Sequence, residues 1–265
     1  MDEETLKYYE DYYFANSLPV PFCLKENNFM LNIRPITVGM FPFYRDNMGI
    51  LLIDKNKVND INIISMSYLQ YLVDIVLKQK EYQRALVTVL DLSLGDEYVY
   101  TMGHYENGKP YIGIQDQDGK MLSRISAKEF DKISKIIIFY NDRNYDDRYI
   151  SDDMRKAMEE YNRIRLKDTY MPTLEEKKAF VSFKSGLTQQ QLNDMSYRYF
   201  DIMYDQCVAN DLFFSQKIIQ ASEKYKVNED EIVYPLFKKK DNKFDFLQNA
   251  DTWEKKVSAA AKGSQ

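Results

Sequence analysis

One apolar stripe dominates the pattern of the chain and predicts a long amphipathic helix from Ser196 to about Tyr225. Its apolar residues recur at steps of three, four and seven, with no Gly or Pro between them. The stripe comprises Phe200, Met203, Cys207, Phe214, Ile218, Ala221 and Tyr225. At 1.5 Å per residue such a helix is about 45 Å long, more than one small domain covers. The pattern therefore predicts a scaffold or docking surface.

Two shorter helices are predicted immediately before this long helix. Thr173 and Glu176 have the spacing of a capping box, in which each side chain bonds the backbone N–H of the other residue. Gly186 is expected to end that helix, because glycine readily adopts the left-handed conformation found at helix C-termini. Thr188 and Gln191 repeat the capping-box spacing, so a second short helix is predicted there.

Three short segments in the first half predict an antiparallel β meander. The predicted strands are 97–105, 110–115 and 120–125. Turn sequences that contain Gly108 and Gly119 join them, and a meander must bury one face against another element. The expected cover is the next helix, which Ser126 and Glu129 cap. The apolar face of this helix is Phe130, Ile133, Ile137 and Tyr140.

The segments before the meander are predicted to be helical, apart from one hairpin. That hairpin pairs 21–25 with 29–36 across the turn residues Glu26 to Asn28. A segment at 82–94 is predicted as a helix, although its Val-Thr-Val string also fits a buried strand. The other predicted helices are 3–14, 37–52 and one that Ser65 or Ser67 caps and that includes Leu69, Leu72, Val73 and Val76.

These elements predict an α+β protein that is predominantly helical. We expect a small N-terminal α+β domain at 1–141 that contains the three-stranded meander. An acidic linker is predicted at 142–151, where charged residues lack any periodicity. A helical C-terminal domain is expected at 152–265, and its last residues, which include Trp253, are predicted to form a flexible tail that orders on a partner.

Composition and charge reduce the number of functional classes to which the chain could belong. The chain has 265 residues, 45% of them hydrophobic, and a net charge of −5, which argues against a dedicated nucleic-acid binder. The Tyr197-Arg198-Tyr199-Phe200 cluster could stack on bases, but its helical period favours an aromatic core face with a solvated arginine. No secretory signal or membrane span is evident, so we expect a soluble intracellular protein. Cys23 and Cys207 are expected to be reduced and buried.

The segment from Gly103 to Pro110 is the nearest match to a phosphate-binding motif. It has the lysine of a P-loop at Lys109 but proline where the magnesium-binding Ser or Thr belongs. A P-loop also leads into a helix, whereas this segment is predicted to be a hairpin with an Asn-Gly turn. The hairpin is therefore the favoured interpretation.

Four acidic or amide residues have the spacing of calcium ligands in an EF-hand loop. They are Asp142, Asn144, Asp146 and Asp153. The sharp turn of that loop requires glycine, where this chain has Asp147, so a solvated acidic linker is favoured. His104 is the only histidine, and no sequence pattern identifies a catalytic, metal-binding or cofactor-binding residue. Carboxylates that converge only in three dimensions remain an alternative.

Three groups of segments together resemble a family of known proteins. They are Leu18-Pro-Val-Pro21 with Ile33-Arg-Pro-Ile36, Leu51-Leu-Ile-Asp-Lys55 and Ile63-Ile-Ser-Met-Ser-Tyr-Leu69; Glu129-Phe-Asp131 with Lys135-Ile-Ile-Ile-Phe-Tyr-Asn141 and Asp152; and 187–202. This succession resembles tail-region proteins of tailed bacteriophages and prophages of Gram-positive bacteria. The general layout is similar to tail assembly chaperones and baseplate-hub assembly proteins. The resemblance spans about 18–212 and includes no catalytic motif.

The resemblance implies a tail morphogenesis protein or a tail or baseplate structural protein that binds other proteins without catalysis. Its expected partners are the tape-measure protein or baseplate components, with a homo-oligomer as a further arrangement. The expected place is the host cytoplasm during assembly, with the virion tail as an alternative. The partner-binding residues predicted from the helical stripe and the tail are Phe200, Met203, Phe214, Ile218 and Trp253. The alternative functions are a metal-dependent hydrolase or nuclease that uses converging carboxylates, and a regulatory protein that binds a host protein.

Overall fold

Two small antiparallel sheets and a larger set of helices form an α+β fold. The computed structural model describes residues 3–55, 58, 60–143, 145 and 172–221. The strands are β1 (Val20–Cys23), β2 (Met30–Ile33), β3 (Val99–His104), β4 (Pro110–Gln115) and β5 (Met121–Ser126). The α-helices are α1 (Glu3–Tyr9), α2 (Phe41–Asn47), α3 (Ile61–Ser65), α4 (Tyr68–Asp74), α5 (Lys80–Leu94), α6 (Ala127–Asn141), α7 (Leu174–Ser185), α8 (Gln189–Asp194) and α9 (Tyr197–Ala221).

The chain divides into two compact units, Met1–Tyr204 and Asp205–Gln265, and the division falls within α9. Of the predicted linker at 142–151, only residues 142, 143 and 145 are described. The linker and the domain limits at 141 and 152 therefore stay predictions. The first part of the helical domain predicted at 152–265, as far as residue 171, lies outside the described residues.

The predicted hairpin near the N-terminus is confirmed. β1 pairs antiparallel with β2, with Val20 opposite Ile33. Asn27 and Asn28 both have positive φ, of 61° and 51°, in the turn between the strands. Asparagine tolerates this left-handed conformation better than most residues, which explains why the turn falls there.

The three-stranded meander is also confirmed, with strand order β3-β4-β5 and antiparallel pairing throughout. Its inner face consists of alternate residues that are buried: Tyr100, Ile112, Ile114 and Ile125. This period of two is what a sheet with one covered face requires. The turns include Gly108 and Gly119, each with positive φ.

Helix α6 contacts β5 and α4, α4 in turn contacts β4, and the apolar residues of α6 belong to the main core. The predicted capping box is present, because Ser126 and Glu129 each bond the backbone of the other residue. All four residues of the predicted apolar face are fully buried: Phe130, Ile133, Ile137 and Tyr140. Burying each such side chain stabilises the fold by roughly 1.5–3 kcal/mol. Tyr140 also stacks on Phe14, with ring centroids 4.3 Å apart.

A second, smaller core joins 36–39 to the helices after residue 172. Its buried residues are Val38, Val181, Leu192 and Phe200. The backbone also connects these segments, since the N–H of Val38 donates to the Met195 carbonyl at 2.9 Å. The N–H of Tyr197 likewise donates to the Ile36 carbonyl at 2.8 Å. Residues distant in sequence thus share both backbone and side-chain contacts here.

One predicted helix is shorter in the structure than in the sequence prediction. The segment 37–52 was expected to be helical throughout, but α2 begins only at Phe41 and a 3₁₀-helix continues it from Met48 to Leu51. Residues 37–39 instead bond the backbone at 193–196, and Pro42 lies in the first turn of α2. The ambiguous segment at 82–94 is helical, as α5, and the segment at 3–14 forms α1 followed by a π-helix.

Replacing Gly186 by Ala is expected to destabilise the protein by about 1–2 kcal/mol, because Gly186 caps α7 with φ at 74° and a Cβ is disfavoured there. The control is Gly49→Ala, since a Cβ at Gly49 would meet no atom within 4 Å beyond its own local backbone and chain neighbours, and its φ is not positive. Urea denaturation of the two variants checks the prediction. Equal stability of both variants would contradict it.

Candidate functional site

The second half of α9 carries large apolar side chains that are exposed. Leu212 is 60% exposed, Phe214 59% and Ile218 71%. Phe214 and Ile218 are four residues apart, so they lie on the same side of the helix. We call Phe214 and Ile218 the α9 apolar face. Exposed apolar residues grouped on one helix are typical of a protein-binding surface.

The five predicted partner-binding residues have different environments. Phe200 is fully buried in the smaller core, which corrects its assignment to a docking surface: it offers no surface to a partner in this structure. Met203 is partly buried and packs against the same core. Phe214 and Ile218 are exposed. Trp253 lies outside the described residues. The predicted stripe is therefore core at its start and surface further along.

A cavity of about 250 Å³ lies among α2, the end of α6 and the start of α9. Its lining combines aromatic rings with charges of both signs. The lining residues are Phe41, Tyr44, Met48, Asn141, Asp142, Arg143, Tyr197, Arg198 and Asp201. Tyr197 stacks face to face on Phe41, with the two rings within 3° of parallel. We call this space the α2–α9 cavity.

The two arginines of the cavity are held by ion pairs. Arg143 Nε donates to Asp201 Oδ2 at 2.9 Å, and Lys177 Nζ lies 3.6 Å from the other oxygen of Asp201. The Arg198 guanidinium donates to a Glu10 carboxylate oxygen at 2.9 Å. It also donates to the Phe139 carbonyl at 2.8 Å. Both guanidiniums therefore have fixed positions in the wall.

The Arg198 environment corrects the sequence prediction of a solvated arginine. Its side chain is only 12% exposed, and its guanidinium lies 5.3 Å from the centre of the Phe14 ring. A cation over an aromatic face is attracted by the ring electrons. Arg198 thus helps to hold the start of α9 against the N-terminal helical segment.

Two tyrosines bring neutral hydroxyl groups to the cavity. Burial raises the pKa of Tyr44 far above its ordinary value, and the Asp142 carboxylate raises it further. Burial also raises the pKa of Tyr197 to about 12, and the charges of Asp201 and Asp142 contribute in the same direction. The buried Tyr44 hydroxyl has no hydrogen-bond partner within 3.5 Å among the described residues, although the nearby Asn141 side chain lowers its pKa. Both phenols therefore keep their protons at physiological pH.

Sequence analysis did not identify this cavity. Its residues come from 41–48, 141–143 and 197–201, of which the first and last are about 150 residues apart, and they form no local motif. For Tyr197 and Arg198 the sequence pattern predicts an aromatic core face with a solvated arginine, and base stacking is the alternative. Their helical period could not show which neighbours they would contact.

The other candidate sites that the sequence suggested are the P-loop-like segment, His104 and the EF-hand-like positions. The P-loop-like segment forms the β3–β4 hairpin, as predicted. His104 Nε2 lies 2.8 Å from Asp74 Oδ1 at the surface. Of the four EF-hand-like positions, only Asp142 is described. Among the residues that the structure describes, no group of three or more His, Cys, Asp or Glu side chains could hold a metal ion.

The prediction of two buried cysteines is wrong for Cys23. Cys23 is exposed and Cys207 is half-buried, and neither forms a disulfide. The reason is the alternation along β1, which turns Val20 and Phe22 inward and Pro21 and Cys23 outward.

Comparison with protein-family models, with curated proteins and with solved structures finds no match. Of the described helices, none combines the length and the hydropathy that crossing a lipid bilayer requires.

Proposed function

We propose that this chain is a tail morphogenesis protein, or a tail or baseplate structural protein, of a tailed bacteriophage, and that it binds other tail proteins without catalysis. The observation that supports binding most directly is the exposure of the α9 apolar face, at Phe214 and Ile218. The sequence resemblance to tail-region proteins supports the biological setting. In this proposal the protein acts in the host cytoplasm during assembly.

The proposed mode of binding is a helix laid into an apolar groove of the partner. Burial of the Phe214 side chain against a partner would favour association by roughly 1.5–3 kcal/mol, and burial of Ile218 by a similar amount. The entropic cost of binding is subtracted from this gain. Residues at i and i+4 are the usual anchors of such a helix. The proposed partner is the tape-measure protein or a baseplate component. Neither a nucleic acid nor a membrane is needed for this mode.

Replacing Phe214 or Ile218 by Asp is expected to reduce partner binding at least a hundredfold, because a carboxylate would be placed in a contact that excludes water. The measurement is co-purification of a tagged chain with the tail proteins of cells that produce all of them. Gln216→Asp is the matched control, since Gln216 is exposed on the opposite side of the same helix. It adds the same charge and is expected to leave binding unchanged.

Two results would count against the proposal. If the wild-type chain recovers no tail protein, the proposed function is wrong. If Phe214→Asp and Ile218→Asp bind as the wild type does, another surface binds the partner. Mass spectrometry of purified virions then separates a structural component, present in fixed copy number, from an assembly factor that is left behind.

A further inference from the structure

We propose that the α2–α9 cavity binds a small zwitterion of the chemical class of a free α-amino acid, with one ammonium and one carboxylate on a short carbon frame. This inference rests on the cavity alone and is independent of tail assembly.

The first argument is the balance of charge in the wall. Two guanidiniums, of Arg143 and Arg198, and two carboxylates, of Asp142 and Asp201, line one space of about 250 Å³. Arg143 already pairs with Asp201 and Arg198 pairs with Glu10, so the wall is close to neutral and a ligand of one charge sign gains little net attraction from it. A ligand with both charges can direct each toward its opposite. The lining therefore selects a zwitterion over a simple anion or cation.

The second argument is that the Arg198 guanidinium has N–H groups that are not used in hydrogen bonds to described residues. A guanidinium has five N–H groups, and Arg198 directs its bonds to two acceptors, Glu10 and the Phe139 carbonyl. No other hydrogen bond joins its guanidinium to a described residue. Donors therefore remain for a ligand carboxylate, and the neutral hydroxyl of Tyr197 lies in the same lining.

The third argument is the Tyr44 hydroxyl, which is buried and has no hydrogen-bond partner within 3.5 Å among the described residues, with the Asn141 side chain as a nearby polar group. Buried polar groups without a partner are rare in folded proteins, and such a group often indicates a bound molecule. Tyr44 belongs to the cavity lining, near the Asp142 carboxylate that raises its pKa. A ligand ammonium between Asp142 and Tyr44 would donate to both oxygens.

The remaining lining sets the size and polarity of the ligand. Phe41 and Met48 supply an apolar wall for its carbon atoms. The volume is below the roughly 300–1,000 Å³ of sites for drug-sized molecules. The ligand is therefore small, with an apolar or short side chain.

The test is calorimetric titration of the full chain with each of the twenty free amino acids. We expect at least one to bind with a Kd below about 1 mM. Its N-acetyl and carboxamide derivatives, which each lack one charge, are expected to bind at least tenfold more weakly. Inorganic phosphate, which carries only negative charge, is the control for the arginines. Absence of binding by every amino acid, or equal binding of the derivatives or of phosphate, would overturn the inference.

Tyr44→Phe separates binding from folding. The variant lacks only the unpartnered hydroxyl, so its Tm is expected to equal or exceed that of the wild type. Its affinity for the same amino acid is expected to fall about tenfold. Tyr199→Phe is the control for the chemical change, because Tyr199 is exposed on α9 and lies outside the cavity lining. Wild-type affinity in Tyr44→Phe would also overturn the inference.

Discussion

Replacing Phe200 by Ala is expected to lower the free energy of unfolding by about 3–5 kcal/mol. Phe200 is fully buried against Val38, Val181 and Leu192. Truncating its side chain leaves a cavity between residues 36–39 and the helices after residue 172, and these segments cannot easily close it. This loss is a large fraction of the roughly 5–15 kcal/mol that stabilises a typical domain. Urea denaturation followed by circular dichroism measures it.

Phe214→Ala is the matched comparison on the same helix. Phe214 is 59% exposed, so the same chemical change is expected to alter the free energy of unfolding by only about 0.5 kcal/mol. The pair therefore distinguishes core from surface within a single stripe. Equal losses in both variants would show that the stripe has one environment along its length, contrary to the structure.

Replacing Glu129 by Gln is expected to cost about 2–3 kcal/mol at pH 7, because its carboxylate accepts several hydrogen bonds in a buried position. Glu129 is 7% exposed. Its oxygens accept from the backbone N–H groups of Lys25 and Ser126, each at 2.9 Å. They therefore join the β1–β2 turn to the start of α6. An amide has one acceptor oxygen and cannot satisfy all of these donors.

The same variant should change how stability depends on pH. Burial alone would raise the pKa of the Glu129 carboxyl, but the N–H of Lys25, the hydroxyl and N–H of Ser126 and the charge of Lys25 together lower it below its ordinary value. A lowered pKa contributes stability above the unfolded value of about 4.3, and this contribution is lost as pH falls through the folded value. The difference between wild type and Glu129→Gln should therefore be constant above about pH 6 and shrink below about pH 4.

Denaturation at pH 7 and pH 3.5 measures this difference. Glu176→Gln is the control, since Glu176 forms the same capping box at the start of α7 but is exposed to solvent. Its cost is expected to stay below about 1 kcal/mol. A difference for Glu129→Gln that persists unchanged at pH 3.5 would mean that the carboxylate charge contributes nothing.

Sequence reasoning succeeded where neighbours along the chain determine the structure. Each capping box joins residues three apart, and the Asn and Gly turns depend on the backbone preferences of single residues. Helical periodicity predicted four residues of α6 that are buried, Phe130, Ile133, Ile137 and Tyr140, although the structure buries most of this helix. The length of α2 was missed because residues 37–39 bond a segment more than 150 residues away.

The candidate sites also depend on contacts between distant segments, which the sequence pattern did not predict. Helical spacing placed Phe200 and Phe214 on one stripe. The same spacing occurs whether a side chain is buried by a neighbouring element or exposed to water. Arg198 has its particular partners only because α9 packs against Glu10 and Phe139. The cavity likewise exists only where three distant segments meet.

Pattern and local chemistry thus determined most of the helices, the turns and the positions of the strands along the chain, since these depend on interactions within a few residues. Packing between distant segments decided which half of the long stripe is core, which arginine is buried and where a cavity remains. The physical reason is that burial and ion pairing depend on which surfaces meet in three dimensions, and residue spacing does not encode that.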